Sequence, residues 1–113
     1  MTRSHPYTVN EVVAALDSLD GQDVRVSGVL QVEFEGNSLW QYPKSERGPD
    51  YASSLWAEFD HAALGLTVEQ LREFDGRHVV VLALVDRSDS GHLGLWPGAL
   101  LIRSLTKARA GDT

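Results

Sequence analysis

The sequence of 113 residues contains no cysteine. Disulfides, thiolate nucleophiles and cysteine-ligated zinc sites are therefore excluded. Long apolar runs are missing as well. The longest, Val79 to Val85, has seven residues and then meets Asp86. A membrane-spanning helix needs about 20 such residues. The segment Met1 to Tyr7 carries Arg3 but no apolar stretch behind it, so a secretory signal is not expected. A cytoplasmic protein with no membrane contact is the expectation. Basic side chains are also scarce. Ten Lys and Arg face sixteen Asp and Glu, for a formal net charge of −6. Sequence-independent nucleic-acid binding draws mainly on Lys and Arg that neutralise phosphates. The net charge therefore argues against a nucleic-acid partner. Net charge is not a surface map, however. Arg103, Lys107 and Arg109 fall close together near the carboxyl end, which leaves room for a local basic groove.

What is present suits one domain, with a core over about 8–106 and flexible ends at 1–7 and 107–113. At 42% apolar residues, a chain of this length can bury a core without staples. Thr8 and Glu11 form a T-x-x-E capping box, and Val9, Val12, Val13, Leu16 and Leu19 recur at helical spacing. A helix over Thr8–Asp20 is expected, stopped by Gly21. Asp23–Phe34 alternates as a strand, with Gly28 marking a bend or bulge. The turn pair Gly36-Asn37 joins it to a second strand, Ser38–Tyr42. Pro43–Asp50 is a polar loop, and Tyr51–Asp60 is a third strand with Leu55, Ala57 and Phe59 on its inner parity. His61–Thr67 reads as a connector. Thr67 and Gln70 form a second capping box, opening a short helix to Asp75. Arg77–Val85, apolar on both faces, is a central or barrel strand. Ala99–Leu105 is the last strand.

The stretch Leu19–Val26 is echoed by Phe74–Val81: helix end, Asp-Gly stop, then strand. Similarity does not extend beyond these segments, so a shared local solution for entering a strand is preferred over internal duplication.

The order helix, three strands, helix, two strands matches the OB-fold, a five-stranded Greek-key barrel. The alternative is an α+β domain with an antiparallel sheet covered by two helices. Gly76-Arg77-His78-Val79 followed by Gly91-His92-Leu93-Gly94 also resembles small uncharacterised bacterial OB-like proteins. Those share a Gly-Arg/Lys-x-Val strand and a Gly-His-Leu/Met-Gly turn. The resemblance implies a fold and carries no activity with it.

Residues able to do chemistry occur singly. His92 and Trp96 lie in the glycine-rich loop before the last strand. That loop runs into a strand and not into a helix, so it lacks the setting of a phosphate-cradling turn. His5, His61, His78 and His92 show no i, i+4 pair. Asp60, His61, Asp86 and His92 could converge only through the fold, so no metal or cofactor is expected. Glu33 and Glu35 share parity at the end of the first long strand and read as a solvated pair. Ser53 and Ser54 lie in a strand and not on a nucleophile elbow. Trp40, Tyr42, Tyr51 and Trp56 are candidates for an exposed aromatic platform, or else they cover the barrel against the first helix.

The preferred reading is a non-enzymatic module for a protein partner, of inhibitor or immunity type. Aromatic anchors and an acidic surface would steer a basic partner. The alternative is an OB-type binder of single-stranded nucleic acid or another small ligand. A metal-dependent enzyme using the Asp60, His61, Asp86 and His92 set is the third reading.

Overall fold

The computed structural model describes residues 4–109. Residues 1–3 and 110–113, parts of the ends expected to be flexible, lie outside the described residues. The elements run β1 (Tyr7–Thr8), α1 (Val9–Ala14), α2 (Leu16–Leu19), β2 (Asp23–Gln31), β3 (Ser38–Trp40), β4 (Ser54–Phe59), α3 (His61–Leu64), α4 (Val68–Arg72), β5 (His78–Asp86) and β6 (Ala99–Lys107). Short 3₁₀ turns sit at Lys44–Glu46 and His92–Gly94.

The sheet order is β1-β2-β3-β4-β6-β5, and β5 returns to pair with β2. Five strands thus close a barrel, with β1 outside it. All barrel pairings are antiparallel except β4–β6, which is parallel. This is an OB-like barrel, as the element order predicts. The barrel interior is filled by alternate residues, including Val24, Val26, Leu39, Leu55, Val79, Val81, Leu100 and Ile102.

Both capping boxes form. Thr8 Oγ1 accepts from the Glu11 N–H at 3.1 Å, and Thr67 Oγ1 accepts from the Gln70 N–H at 3.1 Å. The expected first helix is broken at Ala15, whose φ of −116° and ψ of 22° end α1 and start α2. The break brings Leu16 against Gly98 while Val9 and Val12 stay fully buried in the core. The connector after β4 contains α3, capped by Asp60 Oδ1 accepting from the Ala63 N–H. Its four residues are too few to show a helical period in sequence. At the chain ends, Tyr7 pairs in parallel with Val26, and the Ala108 N–H donates to the His78 carbonyl at 3.0 Å.

The sequence echo acquires a structural meaning. β2 and β5, the strands that follow the two Asp-Gly stops, pair with each other antiparallel. Gly21 and Gly76 both adopt the left-handed conformation, at φ 79° and 77°. The Gly21 N–H donates to the Val85 carbonyl, and the Gly76 N–H donates to the Leu30 carbonyl. Each stop therefore closes onto the far end of the other's strand, in a local two-fold arrangement. Gly28 in β2 answers a different need. A Cβ there would lie 2.8 Å from the Trp40 carbonyl oxygen and 2.8 Å from Val9 Cγ2, so only glycine lets α1 and β3 approach. No helix among the described residues is long and apolar enough to cross a membrane.

Candidate ligand-binding face

In OB-folds, ligands lie on the second and third barrel strands between the loops that follow the first and fourth. Here those strands are β3 and β4. The loops are 32–37 and 87–98. Pairing sets Ser38 opposite Trp56 and Trp40 opposite Ser54, so both tryptophans project from the same outer face.

That face does not present an open aromatic platform. Tyr51 packs on Trp40 with centroids 5.8 Å apart, and Trp96 packs on Tyr51 at 4.7 Å and edge-on to Trp56 at 4.8 Å. Trp40 and Trp96 are buried, and Tyr51 and Trp56 are half-buried. Trp40 comes from β3, Trp56 from β4, Tyr51 from the 41–53 segment and Trp96 from the 87–98 loop, and the rings pack on one another. Of the six candidate binding residues, only Tyr42, at 44%, and His92 are exposed. Strand parity gives the outward direction of these rings but not the loop residues that fold over them.

Several partners hold the cluster. The Trp40 indole N–H donates to Ser38 Oγ at 2.8 Å, and that of Trp56 to Glu58 Oε1 at 2.6 Å. Gly91, at φ 69°, lies flat against the Trp56 ring, where a Cβ would collide with it. The Arg47 guanidinium sits 4.1 Å from the Trp40 ring centroid, a cation–π contact. It also donates to Gln31 Oε1 at 2.6 Å and to the Tyr42 carbonyl at 3.1 Å. Burial lowers its pKa, while the charges of Glu33 and Asp75 act the other way. Arg47 is not recognisable from sequence, because nothing in a polar loop shows which side chain turns inward.

The two bracketing loops meet. His92 Nε2 lies 3.2 Å from Glu35 Oε2. Glu35 and Leu93 are the non-glycine residues at positive φ, 55° and 61°, among the described residues. Phe34 and Leu93 beside this contact are 92% and 78% exposed. Glu33 and Glu35, expected as a solvated pair, are exposed, but Glu35 has His92 as its partner. Between Tyr42, Trp40 and Arg47 lies a cavity of about 200 Å³ that Glu46 and Asp50 also line.

Asp60, His61, Asp86 and His92 do not converge. Asp60 caps α3, Asp86 Oδ1 accepts from Ser88, and His92 faces Glu35. Among the described residues no three metal-ligating side chains group together.

No protein-family model matches the chain, and no curated protein is similar to it in sequence. Solved structures do match in fold. Asparaginyl-tRNA synthetase from Pyrococcus horikoshii, complexed with asparaginyl-adenylate, superposes with a TM-score of 0.58 at 16% identity, over 96% of this chain. A putative aspartyl-tRNA synthetase from Leishmania major Friedlin gives 0.54 at 13% identity over the whole chain. In each case the chain spans 23% of the larger protein. The likeness establishes that this barrel also occurs as one part of two tRNA synthetases.

Proposed function

We propose that the chain is an OB-type module that binds single-stranded nucleic acid in the cytoplasm. The observation that carries the reading is the aromatic face on β3 and β4, bracketed by two touching loops at the place where OB barrels take their ligands. The two fold neighbours are enzymes named for tRNA, which supports this reading over the protein-partner reading. Tyr42, the open edge of Trp56 and His92 offer surfaces for bases. Trp40 and Trp96 lie beneath as buried support. The cavity beside Tyr42 and Arg47 accepts a base edge, with Glu46 and Asp50 as acceptors for exocyclic amino groups.

Anisotropy of a labelled single-stranded 20-mer in low salt tests the reading. Saturable binding is expected, and Tyr42→Ala weakens it by about fivefold or more, since base–aromatic stacking is worth roughly 1–3 kcal/mol. Absence of binding in low salt overturns it.

A protein partner is the second reading. Its favouring observation is the exposed Phe34 and Leu93 beside Glu33 and Glu35, a rim suited to a basic, apolar segment.

A further inference from the structure

The acidic rim of the β3–β4 face raises a physical difficulty for any strand lying there. Glu33, Glu35, Glu46, Asp50 and Glu58 surround the aromatic cluster, and phosphates would be repelled. The grooves near this face carry two carboxylates each: Glu33 and Glu35 beside Arg72, Glu33 and Asp75 beside Lys44 and Arg47, and Glu46 and Asp50 beside Arg47, which is already engaged by Trp40 and Gln31.

The outer face of β2, β5 and β6 differs. Register places Arg25 of β2 beside Leu82 of β5, and Leu82 beside Ser104 of β6. These side chains belong to a shallow groove of about 330 Å³ that Thr106, Lys107 and Arg109 also line. Among the described residues no carboxylate lines it. Arg25, Lys107 and Arg109 are all exposed. Among the described residues, Arg25 and Lys107 form no ion pair. The carboxylate two positions before Arg25, Asp23, is already held by Arg103, whose Nη1 lies 2.9 and 3.0 Å from its two oxygens. Arg103 reaches it from the irregularity opposite Leu82 and Ala83, where β6 carries an extra residue.

We infer that this groove is a binding site for the phosphodiester backbone of a nucleic-acid strand. The inference rests on the proposed function and adds the location of the phosphates, on the side of the barrel away from the aromatic cluster. The chemistry is the exposed cations Arg25 and Lys107, with Arg109 beside them, and two hydroxyls on a concave surface that no carboxylate lines among the described residues. That set recognises repeated phosphates. None of the lining residues is aromatic, so the groove reads charge and not base identity. The net charge of −6 hides the groove because the carboxylates are concentrated elsewhere.

The test pairs two variants that change net charge equally: Arg25→Glu with Lys107→Glu in the groove, and Arg72→Glu with Arg87→Glu outside it. The probes are the single-stranded 20-mer and an abasic oligomer of the same length, which keeps the phosphates and lacks bases. The groove variant is expected to bind both probes about tenfold or more weakly at low salt. Its log affinity against log salt flattens by about 1.4, the share of two phosphate contacts. The control variant loses much less. Tyr42→Ala weakens the 20-mer only. Circular dichroism melting verifies folding, and Arg25→Gln with Lys107→Gln serves if the charge reversals destabilise. If groove and control variants weaken binding equally, or the groove variant binds like the parent, the groove assignment is overturned and the proposed function stands. If the parent binds neither probe, the proposed function falls and the groove assignment falls with it.

Discussion

The two sides of the barrel use opposite materials. On the β3–β4 side, aromatic rings pack on one another under two loops, and carboxylates form the rim. On the β2–β5–β6 side the strands line an open groove whose charged groups, among the described residues, are cations and whose described lining includes no aromatic ring. One barrel therefore separates a surface built from side-chain packing from one built from charge. The difference follows from connection length. The 41–53 and 87–98 segments are long enough to fold over their strands. Tight Asp-Gly stops lead into β2 and β5, and Arg25 and Leu82 stay exposed on their outer face. Substitutions on the first side should act on stability, and those on the second on electrostatic binding.

The largest stability effect is expected at Trp96. It is 5% exposed and contacts both Tyr51 and Trp56. Trp96→Ala should cost about 3–5 kcal/mol in urea unfolding. Leu82→Ala, on the open side at 39% exposure, should cost no more than about 1 kcal/mol. Comparable losses would break the contrast. Trp96→Phe sharpens it. The buried indole N–H of Trp96 finds no acceptor among the described residues. An unmade buried hydrogen bond costs roughly 1–3 kcal/mol. Phenylalanine removes that donor and keeps a ring, so it should be far milder than alanine.

Gly91→Ala comes next. The new Cβ would press on the Trp56 ring, and the residue would be held at φ 69°. Left-handed backbone costs a non-glycine residue about 1–2 kcal/mol, and overpacking adds a further cost of about 1–3 kcal/mol. Equilibrium unfolding should show a loss of about 2–5 kcal/mol. Gly94→Ala is the control. Gly94 has a similar φ of 66° but open space around it, so only the backbone cost applies. Equal losses at the two positions would mean that the Trp56 contact contributes nothing.

These positions show what the sequence makes legible. Gly91 belongs to a conspicuous loop, and its positive φ is readable from the turn residues. That its missing Cβ makes room for Trp56 is not readable, because Trp56 lies 35 residues earlier on another strand. Capping boxes, Asp-Gly stops and strand parity are local patterns, and each forms as the sequence implies. Barrel closure through β2 and β5 follows from the element order. Tyr7–Thr8 escapes, since two residues carry no period. Arg47 over Trp40 escapes because a polar loop does not show which side chain turns inward, and the row Arg25, Leu82 and Ser104 escapes because neighbours across a sheet depend on register, which a single sequence does not state. The cationic cluster Arg103, Lys107 and Arg109 is legible near the carboxyl end, and two of its members line the groove. The third cation of the groove, Arg25, becomes visible only when β5 is placed between β2 and β6.

The smallest expected effect is at the contact between the two loops, and two substitutions separate its components. Glu35 and His92 are about half exposed, and such pairs contribute roughly 0–1 kcal/mol. Glu35→Gln removes the charge and leaves the backbone as it is, so it should lower stability by less than about 1 kcal/mol. Glu35→Gly removes the same charge and also relieves the positive φ of 55°, a gain of about 1 kcal/mol or more. The introduced glycine loses extra entropy on folding, which offsets part of that gain. The glycine variant should therefore be as stable as the parent or slightly more so, and more stable than the glutamine variant. If urea unfolding instead finds the glutamine variant the more stable of the two, the left-handed backbone at position 35 holds no strain for the Glu35–His92 contact to offset. The 87–98 loop would then be held by the packing of Trp96 and Gly91 on the rings and not by its contact with Glu35, and the contrast between a packed side and a charged side of the barrel would be sharper still.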